Sequence, residues 1–257
     1  MDSGTALEYR CADAWPALVD QPLGQWRLRA AGGFTGRANG ALALGDPGMP
    51  VAAALVSAVE FARAQRIEPL AHVIAGSATE RRIAEAGWVV ATRAAGAESA
   101  VLVGELTELA KRARSTGQVG PDDPAGRAGV RAGVHADAPP GWWPLVVDTA
   151  TPTPAQRHVL TTGRVGYGLL EIDGHAVGAV RGALVDGYLH VARLAVRPEH
   201  RRQGLARRLL AALAGWARER GATHYVLQVT PDNAPAVRLY ESLGAAEHHR
   251  YRYWVPR

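Results

Sequence analysis

The chain has 257 residues, of which 47% are hydrophobic and 21% charged, with a formal net charge of +5 at pH 7. This composition is typical of a folded protein and excludes a disordered, collagen-like or disulfide-stapled chain. No uninterrupted apolar stretch approaches the roughly 18–20 residues of a membrane helix, and the N-terminus lacks a basic and then apolar signal. We therefore expect a cytoplasmic protein with no membrane contact. The single cysteine, Cys11, cannot form an internal disulfide and has no neighbour at metal-ligand spacing.

The positive charge comes almost entirely from arginine, since Lys111 is the one lysine among 29 basic residues. Alanine, glycine and proline are also abundant, a bias that a GC-rich coding sequence produces at tolerant surface positions. This origin of the charge argues against a nucleic-acid interface, although binding through the arginine surface stays open as an alternative. The charge would also suit an anionic small ligand.

The first part of the chain predicts a small α+β domain. Leu55, Val59 and Ala62 recur at helical spacing and predict a helix over residues 51–65. Apolar alternation and short apolar runs predict the strands of this part. The predicted strands are 26–29, 41–44, 70–74, 88–92 and 100–106, with a second helix around 79–86.

A run of Gly, Pro, Ser and Asp with few large apolar residues separates this part from the rest. We therefore predict a first domain over residues 1–112, a linker over 113–126 and a second domain over 127–257. One short strand is predicted at 130–134.

The second part carries clearer local signals. Asp-Gly pairs at 173–174 and 186–187 supply the positive φ that tight hairpin turns need. Leucines at near-helical spacing predict an amphipathic helix over 205–220. The other predicted elements are a helix opened by Trp142 and Trp143, a helix at 236–243, and strands at 167–172, 176–184, 188–196, 225–230 and 251–255.

Between the strand at 188–196 and its helix lies a turn of small residues and arginines. A helix begins with four backbone N–H groups that lack internal partners and with a partial positive charge, so its N-terminus favours phosphate. Gly204 and Ala206 keep bulk away from this end. The surrounding arginines are Arg201, Arg202, Arg207 and Arg208. The alternative is an ordinary surface helix whose arginines are compositional, and neither a P-loop nor a dinucleotide fingerprint is present.

The run Arg-Arg-Gln-Gly-Leu-Ala at 201–206 resembles the pyrophosphate loop of the GCN5-related N-acetyltransferase (GNAT) family. The resemblance continues in the preceding strand and in the Asn-x-x-Ala-x-x-Leu-Tyr-x-x-x-Gly pattern at 233–244. It implies an α+β fold with a mixed, mostly antiparallel sheet, split at a bulge, with acetyl-CoA in the cleft. The segment 26–39 looks like the degenerate leading half of two-part actinobacterial acetyltransferases, which implies a smaller, GNAT-like domain with a structural role.

The resemblance also implies the residues that hold the coenzyme. Loop N–H groups would bind the pyrophosphate, the strand edge would pair with the pantetheine amides, and Asn233 would hydrogen-bond that arm. No metal is implied. The implied coenzyme-binding residues are Leu194, Ala195, Val196, Arg201, Arg202, Gln203, Gly204, Leu205, Ala206, Arg207, Asn233 and Tyr240.

The implied reaction is direct transfer of an acetyl group from acetyl-CoA to an amine of a small molecule or a protein. A backbone N–H would stabilise the oxyanion and Tyr240 would protonate the leaving thiolate. The amine must first lose a proton, and many relatives place a glutamate where this chain has His190. The ordinary pKa of histidine, about 6.5, suits that base. Tyr188, Glu171 and an ordered water are alternatives, and His190 as a packed core residue is another.

Three further polar residues are candidate contacts of the acceptor: Arg37, Asn39 and, for an acidic group, Arg193. The adjacent His248 and His249 are expected to face opposite sides of a strand, which argues against a metal site there. The alternative function is a catalytically weak acyl-CoA-binding or sensor protein. Release of coenzyme A against a panel of amines distinguishes it from an enzyme.

Overall fold

The computed structural model describes residues 3–92, 97–115 and 129–257. The α-helices in these residues are α1 (Gly4–Asp13), α2 (Val51–Gln65), α3 (Ala78–Glu85), α4 (Leu106–Ser115), α5 (Trp143–Val147), α6 (Pro154–Thr161), α7 (Leu205–Arg218) and α8 (Ala234–Ser242). The strands are β1 (Val19–Leu23), β2 (Trp26–Ala30), β3 (Gly40–Leu42), β4 (Ala71–Ile74), β5 (Trp88–Val90), β6 (Glu98–Glu105), β7 (Val130–His135), β8 (Arg164–Ile172), β9 (His175–Val185), β10 (Tyr188–Val196), β11 (His224–Val229) and β12 (Ala246–Pro256). None of the helices in the described part of the chain is long and apolar enough to span a membrane.

Most predicted elements are present near their predicted positions. The pair Asp173 and Gly174 connects β8 to β9 with φ of 50° and 79°, and the pair at 186–187 likewise connects β9 to β10. Positive φ at both central residues matches the twist of the flanking strands, which is why these hairpins form locally. Of the predicted linker, residues 116–126 lie outside the described residues, and its first residues end α4.

The two halves of the chain exchange strands within one sheet. β6, from the first half, lies between β11 and β12 and runs antiparallel to both. β12, from the second half, lies between β6 and β4 and also pairs with β5. The sheet order is therefore β1-β2-β3-β4-β12-β6-β11-β10-β9-β8-β7, with β5 beside β12. Each half thus completes its sheet with a strand of the other.

The halves share a common plan around this exchange. Each contains a parallel strand pair, β3 with β4 and β10 with β11, and each pair is connected through one long helix, α2 or α7. In the second half Leu209 and Leu213 of α7 are fully buried against the sheet. Leu109 of α4 joins the same core, so the end of the first half packs into the second. The division of the chain at a linker over residues 113–126 stays a prediction from sequence.

Candidate active site

A cleft opens between β10 and β11. These parallel strands pair over residues 188–190 and 224–226. Beyond His190, β10 stays paired with β9 on its other side, through a register shift between Ala192 and Ala195. Arg193, within this bulge, has φ 55°, in the left-handed region. Since a bulge bends a strand away from its neighbour, the edge of β10 that faces β11 is left open.

The chain turns from β10 into α7 through a loop with two left-handed residues, Arg202 at φ 63° and Gly204 at φ 72°. Gly204 precedes the helix without a side-chain cap. Within the described residues, the amides of Leu205, Ala206 and Arg207 make no hydrogen bond to another backbone group. A Cβ on Gly204 would meet no atom within 4 Å, so the space before these amides is open. Free amides and the helix dipole together favour an anion here.

The arginines of this motif point in different directions. Arg201 donates to the carbonyl at the end of β10 at 3.1 Å, which closes the turn. Arg207 donates to Ser242 of α8 at 2.6 Å. Arg208, expected to face an anion, instead donates to a carbonyl of β7 at 2.8 Å. Arg201, Arg202 and Arg207 line an open depression of about 480 Å³ between the loop and α8.

Asn233 and Tyr240 lie at the two ends of α8. The Asn233 Oδ1 accepts from the amide of Ala236 at 3.3 Å and caps the helix, so its amide nitrogen is the group left for a ligand. Tyr240 is 6% exposed. Burial, with the nearby Tyr225, raises the pKa of its phenol. The phenol is therefore protonated at neutral pH and can act as a proton donor.

The surroundings of His190 do not favour the role of base that the resemblance implies. It is 1% exposed, its Nε2 lies 3.5 Å from Oε1 of Gln228, and its Nδ1 has no hydrogen-bond partner in the described residues. Burial, then the charges of Arg37 and Arg181, lower its pKa to about 3. This pKa lies well below the ordinary value for histidine, because a desolvated imidazole beside two cations resists protonation. A ring with so low a pKa is a weak base for the proton of an amine at neutral pH.

The alternative bases lie outside the open part of the cleft. Tyr188 belongs to the paired start of β10, where its ring stacks on His224 with centroids 5.2 Å apart. Glu171 lies on β8, which β9 separates from β10. Neither position faces the open edge of β10, so an ordered water is the alternative that fits this geometry.

A polar network from both halves lies beside the cleft and was not predicted. Gln228 of β11 accepts from Arg37 at 2.8 Å and donates to Glu8 at 3.4 Å. Glu8 is 1% exposed and contacts His72 at 3.2 Å and His249 at 2.9 Å. Burial alone would raise the Glu8 pKa, but the two histidines outweigh it and hold the pKa at about 2. The carboxylate is thus ionised in the core, where only paired charges are tolerated.

Trp15, fully buried between the halves, has three guanidinium groups around its ring. Arg37 lies 4.7 Å from its centroid, Arg181 5.1 Å and Arg193 5.9 Å. Arg181 is also fully buried and donates to three backbone carbonyls. Arg193 lies 5.0 Å from the ring of Phe34 as well. These residues come from distant parts of the sequence, so no spacing indicated that they meet.

Asn39, a candidate contact of the amine substrate, uses its side chain within its own loop in this structure. Its Oδ1 accepts from the amides of Ala31 and Gly33, and its Nδ2 donates to the carbonyls of Phe34 and Thr35. All its hydrogen bonds serve the loop before β3. Asn39 therefore fixes the segment that carries Arg37.

The expectation that His248 and His249 face opposite sides is wrong. A register shift between Glu247 and His249 in β12 brings the rings together, with their Nδ1 atoms 2.9 Å apart. The described residues contain no group of three metal-binding side chains placed to hold an ion. Trp142 and Trp143 are buried in the core.

Residues 139–245 match the sequence model of the acetyltransferase (GNAT) family. Over 58 residues, 23% of this chain and 31% of the relative, the chain is 45% identical to streptothricin acetyltransferase of Streptomyces lavendulae. Over 76 residues, 29% of this chain and 49% of the relative, it is 40% identical to N-alpha-acetyltransferase 30 of Schizosaccharomyces pombe. The chain thus spans about a third to a half of the length of these curated relatives.

A solved GCN5-related N-acetyltransferase from Kribbella flavida has the same fold. The TM-score is 0.65 at 20% identity, over 99% of this chain and 95% of that one. The predicted α+β GNAT fold is confirmed. The similarity to the acetyltransferase (GNAT) family thus covers residues 139–245, within the second half of the chain.

Proposed function

We propose that the protein is an acetyl-CoA-dependent N-acetyltransferase that acts on a primary amine of a small molecule or a protein. The observation that carries this proposal is that the open N-terminus of α7 continues into the cleft between β10 and β11. One relative is by name a streptothricin acetyltransferase and the other an N-alpha-acetyltransferase, which supports keeping both acceptor classes.

In this proposal the coenzyme lies along the open edge of β10. The free amides at the start of α7 hold the pyrophosphate, with Arg201, Arg202 and Gln203 beside them. The backbone of Leu194, Ala195 and Val196 pairs with the pantetheine amides as a strand would. The amide nitrogen of Asn233 donates to the same arm.

The chemistry is direct attack of the amine on the thioester. The C–N bond forms as the C–S bond breaks, a backbone N–H of the bulged strand stabilises the oxyanion, and the thiolate takes the proton of Tyr240. The attacking nitrogen releases its proton to water, since the low pKa of His190 makes its imidazole a weak base. Solvent then returns a proton to Tyr240.

The first half holds no second coenzyme site in this proposal. Beside its parallel pair, the Tyr9 hydroxyl of α1 donates to the carbonyl of Gln25 at 2.6 Å and lies 3.3 Å from the carbonyl of Leu44, just after β3. Tyr9 also packs with Leu42 and Ile74. The chain's own helix therefore occupies the strand edge that the coenzyme uses in the second half.

Substitution at Gly204 tests the coenzyme site. We expect Gly204→Glu to weaken coenzyme A binding by about a hundredfold or more, because a carboxylate would meet the pyrophosphate. Gly204→Ala is the matched control: it carries the same left-handed backbone penalty of about 1 kcal/mol and meets no atom within 4 Å. Calorimetric titration with coenzyme A measures the affinity of both variants. Equal binding by the two variants would contradict the proposed site.

A second candidate, an acyl-CoA-binding protein with little turnover, is favoured by one observation. The side chain expected as the base, His190, has a pKa of about 3. Tight acetyl-CoA binding without release of coenzyme A for any amine of a broad panel would establish this candidate and reject the enzyme.

A further inference from the structure

We propose that the acceptor end of the cleft binds a carboxylate between Arg193 and Arg37, so that the acceptors are amines that carry a carboxylate. The inference rests on the proposed acetyl transfer and names the class of amine that this site takes. The residues that carry it are two arginines that form no ion pair within the described residues, and two buried polar atoms near Trp15 that have no hydrogen-bond partner there.

Arg193 forms no ion pair with a carboxylate of the described residues. Its backbone is left-handed at φ 55°, which costs about 1–2 kcal/mol for a residue with a side chain. The side chain lies across Phe34 and Trp15, and its Nε is buried with no hydrogen-bond partner in the described residues. Burial and the charge of Arg37 lower its pKa to about 10, opposed by Asp148. A buried charged donor left unpaired is costly and favours a ligand that accepts from it.

Arg37, from the first half of the chain, lies against the same indole as Arg193. It donates to Gln228 of β11 and lies 4.7 Å from the Trp15 centroid, whereas Arg193 belongs to β10. The two like charges are close enough for Arg37 to disfavour the charged form of Arg193. Within the described residues, neither guanidinium forms an ion pair with a carboxylate. An anion between them would relieve this repulsion.

His190 adds a second unpaired polar atom at the same place. Its ring lies 6.1 Å from that of Trp15, and its Nδ1 is fully buried without a partner in the described residues. Buried polar atoms in proteins are nearly always hydrogen-bonded, so two unpaired ones around a single indole indicate a polar ligand. A neutral imidazole can donate or accept there.

The carboxylate belongs to the acceptor because the phosphates of the coenzyme have their own amides and arginines at the far end of β10. The pantetheine arm and an acetyl group carry no charge. The acyl donor could bring an anion to this place only in an acidic acyl group. The test distinguishes that case from a carboxylate on the amine acceptor.

The test measures equilibrium binding of reaction products to the full chain in the presence of coenzyme A. The probes are the N-acetyl derivatives of the twenty standard amino acids, and the binding of each acid is compared with that of its C-terminal amide. We expect at least one acid to bind about ten- to a hundredfold more tightly than its amide. Arg193→Gln should abolish that preference, and Arg193→Lys, which keeps the charge but not the planar fork, should retain part of it. Arg131→Gln, at an exposed arginine of β7, is the control and keeps the preference.

The inference is overturned if no acid binds better than its amide, or if Arg193→Gln leaves the preference intact. A second outcome would also overturn the inference. If wild type prefers succinyl-CoA to acetyl-CoA with an amine that carries no carboxylate, and Arg193→Gln loses that preference, the anion belongs to the acyl group. If the acid preference depends on Arg193 but no amine releases coenzyme A, the acetyl-transfer proposal fails and the carboxylate site stands.

Discussion

Tyr240 and Tyr225 lie in the same core and differ in what their hydroxyl groups contact. Tyr225 donates to the carbonyl of Leu243 at 3.3 Å, a structural bond that ties β11 to the end of α8. The Tyr240 hydroxyl makes no hydrogen bond to another described residue, and burial raises the pKa of its phenol. An unengaged, protonated phenol is suited to give its proton to a leaving thiolate.

We therefore expect Tyr240→Phe to lower kcat by about a hundredfold or more while coenzyme A affinity changes little. Steady-state kinetics together with calorimetry measure the two effects. Tyr225→Phe is the matched control, which we expect to lower stability but leave kcat within a few-fold of wild type. An unchanged kcat in Tyr240→Phe would remove Tyr240 as the acid.

His190 makes stability depend on pH. Its pKa is about 3 in the folded chain, against a reference value of 6.5. Below pH 6.5 the unfolded chain binds a proton that the folded chain does not. The free energy of unfolding therefore decreases as the pH decreases, by up to about 1.4 kcal/mol per pH unit for this group. Glu8, with its pKa at about 2 against 4.5, adds to the fall only below pH 4.5.

We expect His190→Gln to flatten the dependence of the unfolding free energy on pH between 6.5 and 4.5. Urea unfolding followed by tryptophan fluorescence at several pH values measures this slope. His175→Gln, at an exposed histidine in β9, is the control and keeps the wild-type slope. A His190→Gln slope equal to that of wild type would contradict the buried, neutral imidazole.

At the scale of elements, local signals predicted the hairpins and α7, whereas α1 was not predicted. The buried face of α1 contains Leu7 and Cys11 but also Glu8, and a charged residue on the inner face interrupts the apolar period. Glu8 can be buried only because His72 and His249 reach it from β4 and β12. That pairing is not visible from spacing along the chain.

Two other elements were missed for different reasons. β1 is an edge strand with an exposed middle, so its sequence has no apolar alternation. α6 begins with a capping box between Thr153 and Gln156, with proline at its first position, which is a signal that the sequence does carry. The coenzyme loop could be predicted because it is one continuous motif, whereas the residues around Trp15 come from separate elements of both halves.

At the scale of the whole molecule, the exchanged strands make the two halves interdependent. β6 could be predicted as a strand, but its partners β11 and β12 are far away in sequence and no local pattern identifies them. The acceptor end of the cleft depends on this arrangement, since Arg37 and Trp15 of the first half meet Gln228 and Arg193 of the second. In the proposed function, the first half thus forms part of the site as well as supporting it.

Gly104 of β6 tests the exchange. A Cβ there would lie 2.5 Å from the ring of Tyr225 in β11, so Gly104→Val should destabilise by about 1–3 kcal/mol through overpacking. Because the strand is shared, we expect one calorimetric transition, shifted as a whole to lower temperature. Gly215→Ala in α7, where a Cβ meets nothing within 4 Å, is the control and should not destabilise. Two separated transitions in Gly104→Val would show that the halves unfold independently.

The most direct test of acetyl transfer through this cleft is mass detection of acetylated product from acetyl-CoA and a panel of amines, with and without a carboxylate. We predict that wild type acetylates amines that carry a carboxylate and that Gly204→Glu and Tyr240→Phe lose most of that product. Coenzyme binding by wild type with no acetylated amine of any kind would contradict it.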